Sequence, residues 1–351
     1  MKWRNKLKKL KVLIALLVAI VSLTPVSVNA DTNMPLSKNT VKYYAVIMGT
    51  TENEIINLYE ENTYNQFETF IENMLISRKY TDEMYNRENG IDTSNVTLSL
   101  NLKDCAILFD INEADVQKHI ELCGINVYNK IINSFNNSLE KGINTASSGG
   151  GSGVNDQLTD AMWEQICKNA HTGNILITKD SINYNYRHGH IGIIQNHNSA
   201  IKYVTDAWQH DDPATEVYCH PLHTESNYSS RTTYWGKRNS LCLTYPNTAS
   251  VTDRERAGNQ TWYYAEGTNY RYEAFNTKAT ARNNDSRKIN CVGLAVRAYY
   301  FMASYDIVPD VNSNAMLLPS NVYYSKNIRF KYNKNGDILR TSNFESIEWG
   351  F

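Results

Sequence analysis

The run Ser147-Ser148-Gly149-Gly150-Gly151-Ser152-Gly153 constrains this chain most, because it holds no side chain able to anchor a core and so divides the sequence in two. The two sides differ in hydrophobic period. Upstream, Thr51-Glu52-Asn53-Glu54 has the form of a capping box ahead of Ile55, Ile56 and Tyr59, and Phe67, Phe70, Ile71, Met74 and Leu75 continue a helical stripe. A further helix is expected from Glu113 to about Leu139, whereas Val96, Leu98, Leu100 and Leu102 alternate at period two and predict one strand or extended segment. Downstream, a short helix through Met162, Ile166 and Cys167 leads into short strands at Ile175 to Thr178, His190 to Gln195, Ala200 to Asp206, Thr215 to Cys219 and Leu241 to Tyr245. The expected organisation is a leader at 1–30, a mostly helical region of open role at 31–146, a linker at 147–154, and an α+β domain with a small antiparallel sheet at 155–351.

The leader reads as a signal peptide. Lys2, Arg4, Lys6, Lys8, Lys9 and Lys11 precede the apolar run Val12 to Leu23, and Val28-Asn29-Ala30 offers a cleavage site. That run is well short of the ~20 residues a membrane span needs, so contact with a bilayer is expected only if the segment stays uncleaved as an anchor. Its removal leaves 29 Lys and Arg against 36 Asp and Glu, a net charge of about −7 that argues against a nucleic-acid partner. Export would carry Cys105, Cys123, Cys167, Cys219, Cys242 and Cys291 into a more oxidising space. No C-x-x-C pair or dense spacing links them, which predicts few or no disulfides.

Chemistry concentrates in two motifs. Asn290-Cys291-Val292-Gly293-Leu294 opens an apolar run in which Val292, Ala295, Val296, Tyr299 and Met302 repeat at helical spacing, placing Cys291 in the first turn of a core-facing helix. Unpaired amides and the positive dipole end favour an anion there, the charge state a nucleophilic thiol needs. About a hundred residues earlier, Gly189-His190-Ile191-Gly192-Ile193 supplies a candidate base. The order Gly173-Asn174-Ile175-Leu176-Ile177-Thr178, then the His190 motif, then Val204-Thr205-Asp206-Ala207, then the Cys291 motif resembles the circularly permuted papain-like cysteine hydrolases of the NlpC and YiiX type. Thr252-Asp253-Arg254-Glu255, read as a capping box for a helix ending near Gly267, and Leu318-Pro319-Ser320-Asn321 after the Cys helix agree with it. The resemblance covers roughly residues 155–330. Asn174 stands where the family usually has Asp, and Val292 where it usually has Ser.

The resemblance implies an exported cysteine hydrolase that acts through an acyl-enzyme on cell-wall peptides, other amides, or acyl esters and thioesters, with no cofactor. Cys291 would be the nucleophile and His190 the general base and acid. Asp206 would orient the imidazole, the Cys291 amide would face the oxyanion, and Tyr270 or Tyr272 would be a further hydroxyl donor. A five-residue hairpin loop sets Asp206 directly across from His190; a four-residue loop sets Thr205 there unless a bulge intervenes. Rival readings stay open. His188 competes with His190, and Glu216 or His210 can stand in for Asp206. His188, His190, His197, His210, His220 and His223 raise a metal site, though none of their spacings is a compact zinc signature. The 24 Tyr and 6 Trp serve core packing or a sugar-stacking surface. An acyltransferase or an inert binding module on the same fold is the remaining alternative.

Overall fold

The computed structural model describes residues 36–141, 158–180, 182–183, 186–187, 189–196, 201–207, 217–223, 228–266, 270–273, 275–345, 347 and 349. The leader, the Ser/Gly run, His188, His197, His210 and Glu216 lie outside them. Among the described residues no helix is long and apolar enough to cross a membrane.

The first part is helical: α1 (Lys38–Met48), α2 (Glu52–Glu61), α3 (Tyr64–Glu88), α4 (Leu102–Phe109) and α5 (Glu113–Lys141), the last interrupted at Gly124. The capping box at Thr51 and Glu54 is present, and Thr63 with Gln66 forms a second. Helix α1 escaped the periodicity because every residue from Thr40 to Met48 is buried, which leaves no polar face to mark a period. The alternating segment at 96–102 is not a strand. Leu98 and Leu100 pack half-buried on the helical core and Leu102 opens α4, since an extended segment can bury alternate side chains without pairing to another strand.

After α6 (Asp160–Asn169) come β1 (Ile175–Thr178), the ribbon of β2 (Ile182–Asn183) and β3 (Tyr186–Arg187), then β4 (His190–Gln195), β5 (Tyr203–Ala207), β6 (Val217–Pro221) and β7 (Cys242–Pro246). Next are α7 (Val251–Glu266), β8 (Arg271–Tyr272), α8 (Lys278–Arg282), β9 (Lys288–Ile289), α9 (Cys291–Ala303), α10 (Pro319–Tyr323) and β10 (Ile328–Phe330). One antiparallel sheet runs in the order β10-β7-β1-β4-β5-β6, and α7 and α9 pack against β4. The fold is thus α+β, with a small antiparallel sheet behind a helical N-terminal part. Helix α7 is capped two residues earlier than the Thr252 motif suggests: Ser250 Oγ accepts from the Asp253 amide at 3.1 Å and donates to its carboxylate at 2.7 Å.

The β4–β5 register also departs from expectation. Ile193 faces Thr205, Ile194 faces Val204 and Gln195 faces Tyr203, so β5 begins at Tyr203 rather than Ala200 and neither short-loop register holds. Relative to the five-residue loop the pairing has slipped by two. Side chains alternate at period two, so an even slip keeps Asp206 on the same face as His190, now diagonal to it.

The two parts share their cores. Phe275, Met316 and Leu318 belong to the helical cluster, while Tyr80, Met84 and Tyr85 of α3 pack on the cluster around α9. Ser77 Oγ donates to the Met316 carbonyl at 2.9 Å and Thr81 Oγ1 lies 2.8 Å from Ser320 Oγ, both buried.

Candidate active site

Cys291 is the first residue of α9, and Asn290 caps that helix by accepting the Gly293 amide at 2.6 Å. With that amide taken, the Cys291 and Val292 amides remain without an intrahelical acceptor, as any helix start leaves its first amides. Asn290 is itself fixed, its Nδ2 donating to the Leu317 carbonyl at 3.0 Å, while the Leu317 amide donates to the Asn276 carbonyl at 2.9 Å. The thiol is almost wholly shielded, with Cys291 8% exposed.

His190, first residue of β4, stands close enough to Cys291 and Asp206 for the charge of each to act on its ring. Nε2 lies 3.2 Å from Asp206 Oδ2, within hydrogen-bond length but bent from the ring N–H axis, so the pairing is chiefly electrostatic. With Nε2 committed to Asp206, Nδ1 is the nitrogen available to the thiol. Burial disfavours the imidazolium and is the largest single influence on it. The charge of Cys291, with the charge and contact of Asp206, outweighs that and raises the His190 pKa to about 9. Burial likewise disfavours the Asp206 carboxylate, and its contacts with His190 and His220 overcome this and hold it down at about 2.

Asp206 has two further neighbours that the sequence did not single out for it. Trp235 Nε1 donates to Oδ2 at 3.1 Å, and His220 Nε2 lies 3.5 Å from Oδ1. Trp235 also stacks on the His190 ring, with centroids 5.5 Å apart and planes 17° from parallel. This indole explains the motif's second glycine: a Cβ on Gly192 would sit 2.6 Å from Trp235 Cζ2 and closer still to Val204 Cγ1. A glycine inside a strand signals such a close approach, which is how Trp235 could have been sought. The first glycine answers to another indole. Gly189 has φ of 72°, and its Cβ would meet Trp349 Cζ3 at 2.5 Å and the Thr178 carbonyl oxygen at 2.6 Å. Trp349 is held there by buried Lys179, whose Nζ donates to the Phe344 and Ile347 carbonyls at 2.7 and 2.6 Å inside a cage of Tyr323, Phe344 and Trp349.

The structure therefore brings Cys291, His190 and Asp206 together. The Tyr270 hydroxyl accepts from Arg297 at 3.1 Å and from Arg287 at 3.4 Å. Tyr272 pairs through its backbone with Ile289, two residues before the thiol. Among the described residues no group of His, Cys, Asp and Glu is gathered to hold a metal ion. The six cysteines are all free, and burial pushes Cys105 and Cys219 up to about 11 and Cys123, Cys167 and Cys242 up to about 12. No protein-family model, curated protein or solved structure matches this chain.

Proposed function

We propose that the protein is an exported cysteine hydrolase on a circularly permuted papain-like fold, cleaving an amide bond of a cell-wall peptide. The observation that carries the reading is the His190 imidazole lying between the Asp206 carboxylate and a thiol at a helix N-terminus. In this reading the Cys291 sulfur attacks the scissile carbonyl carbon, and the oxygen gains negative charge beside the Cys291 and Val292 amides. The C–N bond breaks as His190 gives its proton to the leaving nitrogen. Water, losing a proton to His190, then attacks the thioester and restores the thiol. Asp206 keeps the ring oriented through both transfers. The helical N-terminal part contributes by bracing the 316–320 segment, through which Asn290 is held.

Iodoacetamide at pH 6 tests the nucleophile. Cys291 is expected to take up one equivalent while the five thiols pushed up by burial stay unmodified, and intact mass should show no adduct in Cys291→Ala. First labelling at Cys167 or Cys242 would overturn the assignment. Purified peptidoglycan tests the bond: new amino groups should appear with the wild type and not with Cys291→Ala. Turnover of activated esters without such release would move the substrate to acyl esters, and absence of both would favour a binding module.

A further inference from the structure

Arg238 is, among the described residues, a cation without a counter-charge at the edge of this site. The residue is 8% exposed, its Nε has no partner, and no carboxylate pairs with it among the described residues. Its Nη2 donates to the Tyr234 hydroxyl, and the guanidinium carbon lies 4.5 Å from the centroid of the Tyr234 ring and 6.0 Å from that of Trp235. Two nearby carboxylates among the described residues are already engaged. Asp206 is surrounded by His190, His220 and Trp235, and Asp180 is filled by the Asn239 and Ser240 amides at 2.5 and 3.0 Å and the Ser240 hydroxyl at 2.7 Å. Lys278 and Arg282 are paired with Asp306, and Arg297, which likewise has no carboxylate, donates to the Thr280 and Asn283 carbonyls and Tyr270. Burying a guanidinium with nothing opposite costs free energy that an incoming anion would recover.

The location ties this cation to the thiol. Tyr234 stacks on His220 with centroids 4.3 Å apart and planes 14° from parallel, His220 touches Asp206, and Tyr234 precedes the Trp235 that covers His190. The charges of Asp206 and Cys291 both reach the Tyr234 hydroxyl on which Arg238 rests.

We propose that Arg238 is the anchor for a carboxylate carried by the substrate within a few bonds of the scissile carbonyl. The proposal rests on Cys291 being the nucleophile and narrows the substrate class. Peptides bearing a free carboxylate beside the cleaved amide fit, and uncharged acyl esters do not. Planar guanidinium matches carboxylate with paired donors, so the preference is for that group rather than for negative charge at large.

The test uses the full chain and two matched alkylating probes, N-iodoacetylglycine and its uncharged amide. The wild type should alkylate Cys291 faster with the acid, and the acid-to-amide rate ratio should fall about tenfold in Arg238→Gln and less in Arg238→Lys. An unchanged ratio in Arg238→Gln overturns the proposal while leaving the nucleophile in place. Failure of both probes to select Cys291 in the wild type overturns the nucleophile and the proposal together. Should Arg238→Gln not fold, protection of wild-type Cys291 from iodoacetamide decides: acetylglycine should protect and acetylglycinamide should not, and equal protection refutes the anchor.

Discussion

Replacing Asp206 by Asn probes the charge on which the site turns. In the wild type the imidazolium persists to about 9 against an ordinary 6.5, a difference worth roughly 3 kcal/mol. Burial works against that charge, so the stabilisation comes from Cys291 and Asp206. An adjacent opposite charge is worth roughly 1–3 units, so Asp206→Asn should lower the His190 midpoint by about 1–2 units, toward about 7–8. Carbon-13 NMR of labelled histidine, with the resonance assigned by its loss in His190→Gln, reads that midpoint directly and needs no substrate. The linkage has a definite sign. The raised His190 contributes stability in full below about 6.5 that is lost as pH rises through about 9, whereas the depressed Asp206 contributes above about 4 and loses it as pH falls through about 2. Asp206→Asn should therefore remove Asp206's share of the acid-side loss and narrow the alkaline one in thermal melts across pH. A His190 midpoint that stays at its wild-type position would refute the view that Asp206 holds the imidazolium.

Gly192→Ala should push Trp235 off the His190 ring and away from Asp206, costing about 1–3 kcal/mol in denaturant unfolding and at least ~10-fold in the rate of Cys291 alkylation. Wild-type alkylation with lowered stability would show that the stacked indole does not tune the site. A specific protease site placed within 147–153 should yield two fragments that co-elute after cutting, because the helical part and the sheet part share buried contacts at Ser77, Thr81, Phe275 and Met316. Separation of the fragments with Cys291 still reactive would show instead that the C-terminal part stands alone. His190→Ala should cut turnover by at least ~100-fold while His188→Ala costs little, and the reverse ranking would move the base to His188.

What the sequence disclosed follows the reach of its signals. Helices α3 and α5, strands β1 and β4, and the start of α9 at Cys291 were legible because each carries a local period or cap. Helix α1 was not, its buried residues offering no polar face, and the 96–102 alternation marked a segment buried on one side without telling a strand from an unpaired extended segment. Cys291, His190 and Asp206 were legible as residue types in order. Trp235, His220, Tyr234 and Arg238 were not, since what assigns them is the packing of β6 and residues 234–238 about Asp206 and His190, for which no local pattern exists.

The site's assembly shows why its order in the chain was a safer guide than its register. Asp206 reaches His190 only if β5 presents it on the proper face, and parity alone decides that: slips of zero or two succeed, whereas a slip of one turns the carboxylate to the opposite side of the sheet. The observed slip of two lengthens the separation to a diagonal, and Trp235 secures the carboxylate there by donating to the same oxygen that faces the imidazole. The same indole needs Gly192 beneath it, so the glycine of the His motif, the tryptophan of a distant loop and the carboxylate of the next strand form one mutually dependent unit. A side chain at 192 would thus act on the site by displacing Trp235, and with it the hydrogen bond that secures Asp206.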